Sequence, residues 1–244
     1  MTKNFPLILA HRGASGLVQH ENTIESFDKA IEVGSDGIEL DVRITKDNIL
    51  VINHDPNIDE LIIKDNTYDD LLKYTNKLGY TIPKFEDVLI RYKNKTILDI
   101  ELKERGYEKE IINLTTKYLD YDKYFIKSFK KEVIIKIKEL DPNITTSLLI
   151  GEKHSDSGKL GIFKELFPKK LVKLTNCDML SPNRLLLILW YLKRVSKLNI
   201  PINVWTVNKE KDLRKLMNSK YCPNYIITNY PDLALKIRKE IFKK

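Results

Sequence analysis

Cysteine is scarce in this chain of 244 residues, which contains only Cys177 and Cys222, far apart and outside any CxxC pair. This scarcity excludes a disulfide framework and a zinc ribbon, which need more cysteines at closer spacing. No apolar run approaches the roughly 20 residues that a membrane-spanning helix requires. The N-terminal segment has too short an apolar core for a signal peptide, and it lacks a small-residue cleavage site. We therefore expect a soluble, cytoplasmic protein.

Linkers and low-complexity tracts are also lacking, since no stretch rich in Pro, Gly or Ser separates one part of the chain from another. A chain of this length buries most of its apolar surface without disulfides or a structural metal. Single-domain barrels commonly reach this size. The sequence therefore predicts one domain over residues 1–244.

The charge balance is basic, with 42 Lys and Arg against 34 Asp and Glu, a net charge of +8. Basic proteins often attract nucleic acid, anionic lipid or phosphorylated substrates. The lysines are dispersed along most of the chain, and no ribonucleoprotein motif or zinc finger occurs. We expect no nucleic-acid partner. Contact of the basic surface with a membrane stays open, as does the oligomeric state.

Short β-rich runs alternate with amphipathic helical patterns from end to end. The first strand is predicted over 7–10, the second over 36–45 with 48–55 pairing back on it, and the third over 95–103. Later strands are YFIKS, ITTSLLIG, CDMLS, IPINVWTVN and YIITN. Eight strand-helix units predict a parallel sheet, and at this length they favour a closed (β/α)8 TIM barrel over an open doubly wound sheet.

Two helical predictions are less regular than the others. A long apolar helix is expected from Pro182, over PNRLLLILWYLKRVSKL, and a less certain helical stretch lies between Gly158 and Leu174. The stretches 56–83 and 151–176 exceed normal loop lengths. We predict that both are short insertions on one face of the barrel.

Polar residues of unusual type gather where the first strands end. They are His11, Arg12, Glu39, Asp41, His54, Glu101 and Lys103. Residues two apart on a strand point to the same side. Barrel strands normally carry Val, Ile and Leu inside, and buried carboxylates occur only when they are paired or bound to metal. The C-terminal ends of the strands form the active face of such a barrel, so we expect these residues to meet there.

These residue types together point to phosphate chemistry. Three converging carboxylates without a thiol suit Mg²⁺ or Ca²⁺ better than Zn²⁺. Two nearby cations, Arg12 and Lys103, indicate an anionic substrate, most simply a phosphate. Two histidines, His11 and His54, can exchange protons near neutral pH. Each motif alone also suits a strand exit, a turn or a surface ion pair, and it is their joint occurrence in consecutive units that favours a site.

The combined motifs resemble the glycerophosphodiester phosphodiesterase family across nearly the whole chain. The matching segments are HRG with ENT, ELDV, HD, DIELK, VWTVN and IITNYPD. The resemblance implies that His11 and His54 are the acid-base pair and that Glu39, Asp41 and Glu101 bind one divalent cation.

The same resemblance assigns the residues that contact substrate. It places Arg12 and Lys103 on the phosphate, and Glu21 and Asn22 at the rim of the site. Trp205 matches an aromatic residue that lines the pocket for the alcohol portion.

Some positions depart from the family pattern. His20 replaces the Pro that usually precedes ENT, and Asn229 stands where Asp is common after the last strand. The segment after His54 and Asp55 lacks an Arg-Thr-Thr-Gly-like stretch. None coincides with a metal or proton-transfer position, so we expect them to bear on substrate preference and not on catalysis. We expect His20 to be a helix-entry residue and His154 to be a solvated surface residue.

The resemblance implies metal-dependent hydrolysis of glycerophosphodiesters to an alcohol and glycerol 3-phosphate, within lipid and glycerol metabolism. Lysophospholipids are an alternative substrate, because the apolar RLLLILWYL segment and the basic 151–176 stretch are both expected at the barrel mouth. A catalytically inactive barrel that binds phosphate or an anionic membrane is the alternative from another class. Attack by water and formation of a cyclic phosphate both stay open.

Overall fold

The protein is a nearly closed barrel of eight parallel strands with helices on its outer surface. The computed structural model describes residues 5–151, 165–186 and 189–242. The strands are β1 Leu7–Ala10, β2 Gly37–Ile44, β3 Leu50–Ile52, β4 Asn57–Ile58, β5 Leu61–Ile62, β6 Ile97–Leu102, β7 Tyr124–Ser128, β8 Thr146–Ile150, β9 Met179–Pro182, β10 Asn203–Val204 and β11 Tyr225–Thr228. The helices are α1 Ile24–Glu32, α2 Tyr68–Lys77, α3 Phe85–Tyr92, α4 Glu108–Tyr118, α5 Lys131–Leu140, α6 Lys169–Thr175, α7 Leu189–Val195, α8 Glu210–Met217 and α9 Pro231–Ile241. The predicted (β/α)8 barrel is confirmed.

The barrel closes by pairing its last strand with its first. The strand order is β10-β11-β1-β2-β6-β7-β8-β9, and Ala10 pairs with Thr228. Between β9 and β10 the contact consists of two isolated bridges, Leu180 with Ile202 and Asn183 with Trp205. As predicted, β3 pairs back on β2, in antiparallel orientation. The 56–83 stretch contains α2 and also the hairpin β4–β5, which was not predicted.

Local sequence signals fix the element ends. Thr23 and Ser26 form a capping box that starts α1, and Pro231 starts α9, where its missing N–H costs nothing. The buried face of α1, with Phe27 and Ala30, belongs to one apolar cluster with the buried side chains of β2 and β6. No helix in the described parts of the chain is long and apolar enough to cross a bilayer.

The single helix predicted from Pro182 is wrong. Pro182 ends β9, where it pairs with Ile150, and a 3-10 turn follows over Arg184–Leu186. The Asn183 side chain accepts a hydrogen bond from the Leu185 N–H and so caps the start of this 3-10 turn. Among the described residues of this stretch, which exclude 187 and 188, only Leu189–Val195 is α-helical, and another 3-10 turn covers Ser196–Leu198. Of the stretch between Gly158 and Leu174, α6 covers the end, and residues 152–164, with His154, lie outside the described residues.

The barrel interior changes character along its axis. Leu9, Phe125, Met179 and Ile227 form a buried apolar cluster inside the barrel. Nearer the C-terminal ends of the strands the buried side chains become charged, beginning with Asp99 on β6. Buried charges need an ion-pair or metal partner, so the C-terminal end of the barrel is the candidate location of a functional site.

Candidate active site

Strand register brings the three predicted carboxylates together. On the paired strands β2 and β6, Glu39 lies beside Asp99 and Asp41 beside Glu101. Alternate residues point inward, so Glu39, Asp41 and Glu101 face the same interior. Each offers one oxygen, these oxygens lie within 4.8 Å of one another, and all three residues are buried. Two oxygens bound to one ion at about 2.0–2.6 Å can be no more than about 4–5 Å apart, so the three could hold a metal ion.

Backbone and amide donors orient two of these carboxylates. The Arg12 N–H donates to Glu39 Oε2 at 2.8 Å, and the Asn22 Nδ2 donates to Asp41 Oδ2 at 2.8 Å. Bonds of this type hold a metal ligand in one rotamer. Asn22 was expected at the rim, and that expectation is wrong: the residue is 3% exposed and lies against Asp41.

The His-Arg-Gly turn after β1 explains the donor geometry. Arg12 and Gly13 both have positive φ, at 53° and 78°. A Cβ at Gly13 would lie 2.4–2.6 Å from atoms of Ser26, so only glycine fits there. The turn carries the Arg12 side chain between two carboxylates, with Nη1 2.6 Å from Glu21 Oε1 and Nε 3.4 Å from Asp41 Oδ2. Glu21 therefore fixes the guanidinium.

Two lysines, the buried Lys127 and the partly buried Lys103, add positive charge beside the carboxylates. Lys103, directly after β6, places Nζ 2.6 Å from Glu101 Oε1 and 3.2 Å from Asp41 Oδ1. Lys127 on β7 places Nζ 2.9 Å from Glu39 Oε1 and was missed by the sequence analysis. Burial alone would raise the pKa of Asp41, but Lys103 and Arg12 outweigh it and hold that pKa well below its ordinary value. Asp41 is therefore ionised near neutral pH.

His11 lies at the end of β1 with both ring nitrogens near a partner. Its Nδ1 is 2.8 Å from Asn229 Oδ1, and its Nε2 is 3.9 Å from Glu39 Oε2. An amide oxygen can only accept, so Nδ1 carries the proton and Nε2 presents a lone pair. Burial, and then the Arg12 guanidinium, lower the pKa of His11 to about 3. His11 is therefore neutral near pH 7.

Asn229 bears on this histidine directly, whereas the sequence analysis linked it to substrate preference. The closed barrel supplies the signal that was missed: because Ala10 pairs with Thr228, the residues that follow, His11 and Asn229, are neighbours. The Asn229 backbone N–H donates in turn to Asn208 Oδ1 at 2.9 Å.

His54 reaches the same cavity from the segment after β3. Its backbone oxygen accepts from the Arg43 guanidinium, and its Nδ1 lies 2.8 Å from Asp55 Oδ1. About a third of its side chain is exposed. His11 and His54 both line one cavity of about 240 Å³, together with Glu39 and Glu101.

The opposite wall of this cavity is apolar. Phe129, Leu149, Leu185 and Trp205 line it. The Trp205 indole donates to the Ser181 carbonyl at 2.8 Å, and the Phe129 ring packs edge-on against it, with centroids 5.4 Å apart. These contacts hold the indole in one orientation. The cavity thus pairs a charged wall with an aromatic one, as suits a phosphate ester of an organic alcohol.

The model of the glycerophosphoryl diester phosphodiesterase family matches residues 11–233. This chain belongs to that family. A glycerophosphodiester phosphodiesterase of Bacillus subtilis is 30% identical over 96% of this chain and 86% of its own length. The family resemblance inferred from the motifs is confirmed, and with it the assignment as a phosphoric diester hydrolase.

Other members and solved structures extend the comparison. The crystal structure of a glycerophosphodiester phosphodiesterase from Thermotoga maritima has a TM-score of 0.79 at 26% identity, covering 96% of this chain and 98% of that one. A phosphodiesterase from Oleispira antarctica, solved with the product sn-glycerol 3-phosphate, has a TM-score of 0.77 at 22% identity and covers 96% of each chain. The human lysophospholipase D GDPD1 is 30% identical over 45% of this chain and 41% of its own.

Below Glu39, Asp41 and Glu101, the barrel interior contains a second buried polar cluster, formed by Asp99, Lys127 and Asn203. Lys127 Nζ contacts Asp99 Oδ2 at 3.0 Å, and the same oxygen accepts from Asn203 Nδ2 at 3.2 Å. Burial would lower the pKa of Lys127, but Asp99 and Glu39 outweigh it and raise that pKa. The signal for this group was present in the sequence, as Asp99 stands two residues before Glu101 and Lys127 interrupts an apolar strand.

Proposed function

We propose that this chain hydrolyses glycerophosphodiesters to an alcohol and glycerol 3-phosphate, with His11 and His54 as proton-transfer groups beside a divalent cation. One observation carries the proposal: two histidines and the carboxylates Glu39 and Glu101 open into the same cavity of about 240 Å³. A site that only binds phosphate has no need of a second proton-transfer group. The family and its relatives support the substrate class.

Glu39, Asp41 and Glu101 are the residues that would hold Mg²⁺ or Ca²⁺, since carboxylate oxygens are the ligands both ions prefer. When bound, the ion neutralises charge on the phosphodiester and in its transition state. Arg12 and Lys103 add fixed positive charge from the same side, so the phosphate oxygens face cations.

Each histidine has one proton-transfer task. His11 lines the cavity with the Nε2 lone pair available, so it accepts the proton of the attacking hydroxyl. His54, more exposed and held by Asp55, donates a proton to the departing alkoxide. The attacking hydroxyl belongs either to water or to the substrate glycerol, which would form a cyclic phosphate first.

The test is release of glycerol 3-phosphate from glycerophosphocholine and glycerophosphoethanolamine, measured with Mg²⁺, with Ca²⁺ and with EDTA. We expect activity with at least one ion and none with chelator. Activity that survives EDTA would contradict the metal, and no hydrolysis of any glycerophosphodiester would support an inactive binding barrel. Trapping experiments for a cyclic phosphate distinguish the two attacking groups.

Lysophospholipids are a second candidate substrate, favoured by the apolar cavity wall that includes Phe129, Leu149 and Leu185. The human relative, a lysophospholipase D, supports the same class. Comparison of rates on glycerophosphocholine and lysophosphatidylcholine tests this, because the two share a head group and differ by the acyl chain. Inertness toward the lipid would dismiss the second candidate and leave the first intact.

A further inference from the structure

Next to the mouth of the cavity, the outer surface of the barrel exposes large apolar side chains. Eleven such side chains are exposed in the described residues, and four of them fall between residues 167 and 190. These four are Phe167, Leu174, Leu185 and Trp190, with exposed fractions of 45%, 57%, 59% and 43%. Single exposed apolar residues are ordinary, but a concentration of them marks an interaction surface.

Three of the four gather at the rim of the active face. Phe167 lies two residues before α6, next to its N-cap Pro168, and Trp190 lies in the first turn of α7, so both stand where helices begin after β8 and β9. The guanidinium of Arg194 joins them, 4.0 Å from the centre of the Phe167 ring and 5.1 Å from that of Trp190. Leu185 lines the cavity itself. We call Phe167, Leu185, Trp190 and Arg194 the rim patch.

The surroundings of the rim patch are strongly basic. Residues 165–198 contain seven Lys and Arg but only two acidic residues, a larger basic excess than the 42 to 34 of the whole chain. Lys169, Lys170 and Lys193 are exposed. One of the two acidic residues, Glu165, accepts a hydrogen bond from the Gly151 N–H at 3.0 Å. The surface around the two aromatic rings therefore carries a local excess of positive charge.

We propose that the rim patch docks on the surface of an anionic phospholipid bilayer. Exposed Trp, Phe and Leu side chains with Lys and Arg beside them form the composition that partitions into a headgroup region. Nucleic acid would use the lysines but would not require the apolar side chains. Docking here places the cavity mouth against the bilayer. The proposal concerns binding, so it stands or falls separately from the proposed hydrolysis.

Vesicle co-sedimentation of the full chain tests this proposal. The vesicles are phosphatidylcholine alone, or phosphatidylcholine with about a third replaced by phosphatidylglycerol. We expect binding to the anionic vesicles to be at least about tenfold tighter. The double variant Phe167→Ser/Trp190→Ser and the double variant Lys170→Glu/Lys193→Glu should each weaken it about tenfold or more.

Matched controls lie on other helices. Ile90 on α3 is 46% exposed, so Ile90→Ser removes an equally exposed apolar side chain, and Lys236→Glu reverses an exposed charge on α9. Both should bind vesicles as the unaltered chain does. All variants should cleave soluble glycerophosphocholine normally, which shows that they are folded. If the unaltered chain does not cleave this substrate, circular dichroism serves as the folding check. The vesicle result then still tests the docking proposal.

Three results would overturn the proposal. The first is no binding to anionic vesicles, and the second is equal weakening by the control variants. The third is unaltered binding by the Phe167→Ser/Trp190→Ser variant together with full competition by duplex DNA, which would make the surface a general polyanion site.

Discussion

The two sides of the barrel interior differ in chemistry. Strands β1, β2, β6 and β7 contribute charged or titratable side chains, namely His11, Glu39, Asp41, Asp99, Glu101 and Lys127. Strands β8 and β9 contribute Ser147, Leu149 and Ser181, β10 contributes Asn203, and the aromatic Trp205 follows it. The titratable side chains therefore lie on contiguous strands, whereas the facing strands form the uncharged wall of the cavity. Substitutions on the first side should act on turnover, and substitutions on the second on substrate preference.

The largest expected effect comes from the carboxylates of the charged side. Glu39→Gln keeps the shape but removes a charged ligand, so we expect activity to fall by about 10³-fold or more, because a bound ion contributes several kcal/mol to charge stabilisation. The shift of the melting temperature on adding Mg²⁺ or Ca²⁺ should shrink in parallel. Glu132→Gln, an exposed carboxylate at the start of α5, is the control for the loss of a charge. Normal chelator-sensitive activity in Glu39→Gln would remove Glu39 from the metal site.

The histidines come next. We expect His11→Ala and His54→Ala each to lower kcat by at least about 10²-fold, the usual contribution of a general acid or base. His20→Ala is the matched control for kcat, since the His20 ring stacks on Tyr80, 4.7 Å between centroids, and lines a neighbouring pocket with His54 but not the cavity that His54 shares with His11. Near-normal turnover in both of the first two variants would refute the acid-base assignment.

A smaller effect is expected on the facing side. Trp205→Ala should raise KM roughly tenfold with little change in kcat, because the indole lines the cavity wall that faces the charged groups. Trp190→Ala removes the other tryptophan and should leave kinetics on soluble substrates unchanged. A large fall in kcat with unaltered KM for Trp205→Ala would show that the two sides are not divided as described.

The smallest effect lies outside the barrel interior. A hydrogen bond from Arg91 lowers the pKa of Asp28 on α1, and about half of each of these two side chains is exposed. A lowered folded-state pKa stabilises the protein above the ordinary value of about 3.9 and loses that contribution as pH falls through the folded-state pKa. Asp28→Asn should therefore lower the free energy of unfolding at pH 7 by less than about 1 kcal/mol. Urea unfolding should show this difference shrinking as the pH is lowered below about 4; a constant difference would point to packing.

Much of this arrangement could be predicted from local pattern. The alternation of strands and helices fixed the barrel, and the same-side spacing of Glu39 with Asp41 placed two carboxylates inward. Such signals lie within one strand, so they can be recognised without knowing which strands are adjacent in the sheet. The helix predicted from Pro182 was wrong because helical periodicity in the following apolar run does not reveal that Pro182 itself pairs with Ile150 in the sheet.

The contacts that escaped prediction join distant parts of the chain. Asn229 meets His11 across 218 residues, and Asn203 meets Asp99 across 104. Neither contact leaves a periodic trace in the sequence. Both could be found only by applying barrel closure first and then asking which strand ends become neighbours.

The lysine on β7 has a consequence for how the protein is made. Lys127, Lys103 and Arg12 lie among four inward carboxylates, so a newly synthesised chain can bring its acidic strands together without first capturing an ion from solution. If the carboxylates hold the proposed divalent cation, folding of the barrel and binding of the cation are separate events, and a shortage of the cation would leave a folded but inactive protein instead of an unfolded one.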